Sequence, residues 1–173
     1  ALHAQRRQLG DAVVDAALAP LKSRIESLRR ASQQLRLVSV LFLDVTGSTA
    51  LTQQLDPEDV HEVMDGALAR FATVVQAQGG RVLQFAGDSL LAAFGHDGAR
   101  EDDAERAVRT GLTLLDAGRD EGRRVQARFG HAGFNVRVGV HTGSVLLGGG
   151  VDEDGSIRGM TVNLAARMEQ TAP

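Results

Sequence analysis

Cysteine, tryptophan and tyrosine are absent from this chain, and proline occurs only three times in 173 residues. Without cysteine there are no disulfides, no thiolate metal sites and no thiol nucleophile, a pattern that suits a reducing compartment. Missing too is any apolar run near the roughly 20 residues that cross a bilayer, and no signal-peptide pattern opens the sequence. A cytoplasmic segment without membrane contact is expected, although a longer parent protein could be membrane-tethered. Lysine and arginine form no block and the formal net charge is -3, which argues against a general nucleic-acid-binding surface. What remains is an ordinary globular composition, 43% apolar and 24% charged, long enough for one domain with an attached element. The first residue is Ala, so the chain reads as a piece of a longer protein.

Residues 1–36 differ in character from the rest. Val14, Leu18, Leu21, Ile25, Leu28 and Leu35 alternate in spacings of four and three, with Ser32 filling one seam position. That is a heptad seam of about three repeats. Pro20 interrupts it and is expected to begin a new helix near that point. Two readings stay open: an amphipathic helix packed on its own domain, or a parallel dimerising coiled coil that feeds the strand at Leu37.

Beyond it, the pattern changes period. Residues 37–43 form an apolar strand ending at Asp44. Asp56-Pro57-Glu58 is a helix start, with an N-cap, a proline at N1 and an acid in the first turn. Val60, Val63, Met64, Ala67, Leu68, Phe71, Val74 and Val75 then make one apolar face, and Gly79-Gly80 stops the helix. Two short strands, 81–86 and 89–94, meet at Gly87-Asp88. A second amphipathic helix is predicted over 101–115, with 116–133 a mixture of frayed helix and loop. Residues 134–141 alternate as a strand, 142–155 read as a glycine-rich loop, and 160–169 as a closing helix. The order is βαββαβ, an α+β chain on the ferredoxin-like, palm-type plan, with an antiparallel sheet and helices on one face. In that plan the third strand lies between the first two, so the end of the first strand meets the hairpin. Asp44 and Asp88 become neighbours.

Two carboxylates at apolar strand tips repel each other, and a divalent cation is the usual remedy. Each also has a plainer reading, Asp44 as a turn or capping residue and Asp88 as a hairpin residue. Gly47, Ser48 and Thr49 follow Asp44 in a short turn whose backbone N–H groups could hold phosphate oxygens. The Gly-Lys-Ser/Thr signature of a P-loop is missing. Farther on, Asn163 and Arg167 stand four apart on one helical face. Arg167 suits a developing phosphoryl charge and Asn163 a ribose or phosphate oxygen; alternatively both are ordinary solvent-facing residues. His141 is read as a strand-end structural residue, and His61, His96 and His131 have no metal-ligand spacing.

The segments FLDVTGST from Phe42, FAGD from Phe85, NVRVGVHTG from Asn135 and TVNLAAR from Thr161 resemble the class III nucleotidyl cyclases, as does EDDAERAV from Glu101, in the style of bacterial members. The resemblance spans about residues 37–172. It implies a catalytic domain (37–173) preceded by a signalling or dimerisation helix (1–36). That domain would make a cyclic nucleotide from a nucleoside triphosphate and release pyrophosphate. It assigns Asp44 and Asp88 to two Mg2+ or Mn2+ ions, and Asn163 and Arg167 to the transition state. The two pairs would come from opposite subunits of a head-to-tail homodimer, with an upstream sensor or regulatory domain setting the geometry through the helix.

Some positions depart from the family pattern. Gln84 stands where adenylyl cyclases usually have lysine, and Ser156 where they have Asp or Thr; guanylyl cyclases tend to use Glu and Cys. An amide and a hydroxyl each donate or accept, so ATP is the expected main substrate, with weaker rejection of GTP. The chain also stops before the last strands and a phosphate-binding lysine of its relatives. An adenylyl cyclase is therefore the first expectation and a guanylyl or mixed-specificity cyclase the second. The third belongs to another class, a degenerate cyclase-like regulatory domain.

Overall fold

Strand β1 (Gln34–Thr46) is apolar at both parities. Leu41, Leu43 and Val45 are buried on one face and Val38 and Val40 on the other, so β1 must lie inside a sheet covered on both sides. The computed structural model, which describes residues 14–15, 18–24, 34–147, 157–158 and 160–172, has this arrangement. After β1 come α1 (Ser48–Gln54), α2 (Pro57–Ala77), β2 (Arg81–Ala86), β3 (Ser89–Phe94), α3 (Asp103–Phe129), β4 (Asn135–Leu147), β5 (Ile157–Arg158) and α4 (Met160–Thr171). The sheet order is β2-β3-β1-β4-β5. Each neighbouring pair is antiparallel, so β1 and β2 run parallel with β3 between them, as the sequence order implied.

The two long helices share one face. Val63, Ala67, Leu68, Phe71 and Val75 of α2 and Ala107, Leu114 and Val125 of α3 close over Leu41, Leu43, Val45, Leu90, Ala92, Phe94 and Val136. The fully buried Phe71 alone makes this layer costly to disturb; truncation to Ala costs about 3–5 kcal/mol in such settings. Helix α2 starts as its sequence suggests, with Asp56 at the N-cap position, Pro57 in the first turn and Glu58 and Asp59 beside it. The C-terminal α4 lies on the other face, where Ala165 joins Val38, Val40, Leu91, Ala93 and Val145.

Three elements run differently from the sequence expectation. Helix α3 continues to Phe129 rather than fraying after Leu115. Its buried side passes to Gly118, Glu121 and Val125, and its outer side carries the pairs Asp116–Arg119 and Asp120–Arg123. Arg70 of α2 meets the buried Glu121 at 2.5 Å. Val125 enters the core, and Gly118 and Gly122 lie against Val136 and Phe134. Close packing on β4, together with the charges, thus holds these last turns (about four). Strand β4 continues past His141 to Leu147, because residues 142–147 pair with the first half of β1. A hydroxyl contact of 2.7 Å between Ser39 and Thr142 marks that extension; His141 is therefore inside a strand, not at its end. At the other end, Leu35 belongs to β1 and not to a helix. Residues 18–24, Pro20 included, are helical. The seam positions Ile25, Leu28 and Ser32 lie outside the described residues.

Candidate functional site

Asp44 sits two residues before the end of β1 and Asp88 in the turn between β2 and β3. The Val45 N–H donates to the Asp88 carbonyl at 3.1 Å, which fastens the hairpin to the end of β1. Registration places Ser89 directly across from Asp44 on one side and Arg137 on the other. Ser89 Oγ donates to Asp44 Oδ1 at 2.8 Å, and Arg137 Nη2 to Asp44 Oδ2 at 3.3 Å. Ser48 Oγ donates to Asp88 Oδ2 at 2.6 Å. Gly47 makes the approach of Ser48 possible: its φ is +83°, and a Cβ there would meet the Gly133 carbonyl oxygen at 2.6 Å. The chain turns there from β1 into α1, so Ser48 and Thr49 are the first residues of that helix rather than part of a turn, and Ser48 reaches Asp88.

This corner suits a hard divalent cation. Its donors are carboxylate oxygens, each oriented by a hydroxyl from a rigid element. Among the described residues no group of three His, Cys, Asp or Glu side chains forms a closed cage. Mg2+ and similar ions need none, since one or two carboxylates plus water and substrate phosphate oxygens complete their coordination.

A third acid stands behind the first two. Glu169 of α4 is buried, and its Oε1 lies 3.1 Å from Arg137 Nε. Burial pushes the Glu169 carboxyl above the ordinary carboxylate range; the charge of Asp44 adds to the rise, Arg137 opposes it and Asp88 adds again. Helix α4 reaches this position because β4 has Gly139 below it. A Cβ there would collide with the Ala165 carbonyl oxygen and the backbone of Glu169. At its other end Thr161 Oγ1 donates to the Ser144 carbonyl at 2.9 Å.

Thr161, Ala165 and Glu169 are thus the sheet-facing side of α4, and Asn163 and Arg167 are exposed. Two residues along a helix is a turn of about 200°, so Asn163 and Arg167 share a face directed away from their own sheet. The chain brings Asp44, Asp88 and residues 47–49 together, and turns Asn163 and Arg167 outward.

Gln84 is exposed on β2 and registers with Leu91, which in turn registers with Phe42. It therefore shares the sheet face of Asp44, one row farther along. The ladder runs unbroken from the Ala86–Ser89 pair to the Gln84–Leu91 pair, and its register shifts only beyond Gln84, before Val82. Ser156 lies outside the described residues.

Sequence reasoning did not single out Ser89, Arg137 and Glu169. The available signal was an arginine between the buried-face valines Val136 and Val138, and an acid eight residues after Thr161 on the same helical stripe. Among the histidines, His131 is buried with Nδ1 2.7 Å from Gln54 Oε1, tying the loop before β4 to α1.

The sequence family described as the adenylate and guanylate cyclase catalytic domain matches residues 30–173. An adenylate cyclase of Anabaena cylindrica is 27% identical over 84% of this chain and 29% of its own length. Adenylate cyclase 1 of Rhizobium meliloti is 31% identical over 76% of this chain and 20% of its own length. The chain thus spans less than a third of the curated relatives it matches. Among solved structures, the adenylyl cyclase CyaB of P. aeruginosa superposes with a TM-score of 0.78 at 26% identity, covering 82% of this chain and 75% of that one. The guanylyl cyclase Cya2 gives 0.75 at 30% identity, covering 81% and 72%.

Proposed function

Because the chain belongs to the adenylate and guanylate cyclase catalytic domain family, we propose that it converts ATP to 3′,5′-cyclic AMP and pyrophosphate at a site shared between two copies. The ribose 3′-oxygen bonds to the α-phosphorus, and the bond from that phosphorus to the pyrophosphate oxygen breaks. Two Mg2+ or Mn2+ ions held by Asp44 and Asp88 would supply Lewis-acid activation and charge neutralisation. Ser89 and Ser48 keep those carboxylates oriented, and the backbone N–H groups of Gly47, Ser48 and Thr49 donate to phosphate oxygens. Arg167 offers a guanidinium to the charge that develops on the transferring phosphoryl group, and Asn163 orients the ribose or phosphate.

One observation supports the shared site: Asn163 and Arg167 are exposed on the side of α4 opposite Glu169, the residue that faces Arg137 beside Asp44. A helix seated this way offers its outer face to another molecule's carboxylate corner. The heptads upstream then set the relative orientation of two catalytic domains, and a linked sensor domain in the parent protein would act through them. They also raise the local concentration of the second domain. Mixing Asp44→Asn with Arg167→Ala chains is the test. Recovered cyclic AMP production, from partners inactive alone, is expected; an inactive but verified heterodimer would refute the shared site. A domain that only binds a partner would make no cyclic nucleotide as the parent chain.

The base is read on the same open face. Adenine presents an acceptor at N1 and a donor at N6, and guanine reverses both. Gln84 turns its amide to match either, which supports ATP as the main substrate with GTP as a slower one. The alternative of a guanylyl or mixed cyclase differs only here, and the solved structures similar to this chain include both kinds. Comparing ATP and GTP turnover with Mn2+ decides between them.

A further inference from the structure

One guanidinium in this structure serves two carboxylates. Arg137 Nη2 reaches Asp44 Oδ2 at 3.3 Å, while Arg137 Nε stands 3.1 Å from Glu169 Oε1. The second contact is misaligned. Neither Arg137 Nε nor Glu169 Oε1 has a hydrogen-bond partner, and both atoms are out of contact with solvent. A buried donor and acceptor at contact distance that fail to pair are rare and unfavourable. The geometry explains them: serving Asp44 turns the Nε–H away from Glu169.

The backbone of Glu169 rests directly on Gly139, with no side chain between helix and strand. Arg167, two residues earlier, belongs to the same turn of α4. Any change in how Glu169 is held is therefore felt at the outward face carrying Asn163 and Arg167. A divalent cation at Asp44 would neutralise the charge that draws Arg137 there. The freed guanidinium could then meet Glu169 through the paired, parallel hydrogen bonds that arginine makes with carboxylates.

We propose that Arg137 and Glu169 form a positioning relay in which occupation of Asp44 by a divalent cation passes Arg137 to Glu169 and seats α4. The relay rests on the reading of Asp44 as a cation ligand. In that reading the outer face of α4 serves the partner's active site, so cation binding in one site prepares the other. Linkage requires the converse as well: whatever fixes α4 tightens the cation at Asp44.

The test uses the full 173-residue chain with Mn2+ as the probe. Binding is followed by the free-ion electron paramagnetic resonance signal, and α4 by amide hydrogen exchange of residues 161–171. In the parent, Mn2+ slows exchange in α4 by at least about fivefold, the low end for coupled sites. In Glu169→Gln, Mn2+ still binds and the slowing disappears. The double variant Arg137→Met/Glu169→Met replaces the pair, buried at Glu169 and partly exposed at Arg137, with apolar groups, a change that folds tend to tolerate. It carries the same test if Glu169→Gln misfolds, and it should bind Mn2+ no more weakly than the parent, because the competing cation is gone. Equal slowing of α4 in either variant, or Mn2+ binding by the parent without any slowing, overturns the relay. Mn2+ binding that is absent in the parent, or untouched by Asp44→Asn, removes the metal reading itself and the relay with it.

Discussion

Ser89 stands directly across the sheet from Asp44 and donates a hydrogen bond to its Oδ1 at 2.8 Å. The Asp44 carboxylate is therefore aimed by its strand neighbour before any ligand arrives. Ser89→Ala should raise the Mn2+ concentration for half-maximal activity by roughly 10- to 100-fold, the usual effect of losing a group that orients a metal ligand. The fold should remain, as judged by far-UV circular dichroism. An unchanged Mn2+ requirement would show that Asp44 orients itself.

Replacing the ligand should cost more than replacing its support. Asp44→Asn and Asp88→Asn are each expected to lower turnover beyond about 100-fold, the upper end of outer-shell effects. Production of cyclic nucleotide at saturating Mn2+ measures it, and chelation of the parent by EDTA should reproduce the loss reversibly.

Gln84 makes the base preference adjustable. Gln84→Lys places a donor-only group where adenine N1 accepts and guanine N1–H does not. The ratio of ATP to GTP turnover should rise by about tenfold or more, equivalent to roughly 1.4 kcal/mol of discrimination. Gln84→Glu should move the ratio the other way. Paired kcat/KM measurements on both nucleotides decide it, and an unmoved ratio would place base reading elsewhere.

Glu169 gives a pH dependence with a definite sign. Burial lifts its carboxyl above the ordinary carboxylate range; Asp44 and Asp88 push the same way and Arg137 opposes them. A raised folded-state value means that the folded chain holds this proton more tightly than the unfolded one. The stabilisation is complete below the unfolded value and is lost as pH rises through the raised folded value. Glu169→Gln lacks that loss. Circular dichroism melts from about pH 4 to pH 8 should show the parent falling relative to the variant as pH rises. A constant difference across that range would contradict the assignment. Fluorescence cannot serve as the readout, since the chain has neither tryptophan nor tyrosine.

The core plan was legible because it depends on period and order. The continuous apolar run of β1, the 3.6-residue face of α2 and the Gly87-Asp88 hairpin together placed Asp44 beside Asp88, and in the structure the Val45 N–H meets the Asp88 carbonyl. What escaped was whatever depends on pairing between distant segments. The second half of β4 is a strand because residues 34–39 need a partner, and its place at the start of the glycine-rich stretch 142–155 hides that. The later turns of α3 rest on Val125, on Gly118 and Gly122 lying close to β4, and on Arg70 of α2 pairing with Glu121, and glycines in a polar stretch do not announce a helix face. The register shift between Val82 and Gln84 resets the start of β2 against β3, yet a single extra residue leaves no compositional mark. Arg137 and Glu169 look like an ordinary strand arginine and an ordinary helix acid until α4 is laid on β4.

The contact between α4 and Gly139 involves backbone on both sides. Its spacing is therefore a property of peptide geometry and is indifferent to the chemistry of the surrounding side chains. That close approach fixes the height of the helix above the sheet, while Thr161 and Ala165 fix where along the strand it sits. Sequence drift over the rest of the domain could proceed without altering how far Asn163 and Arg167 protrude, provided that position 139 carries no side chain.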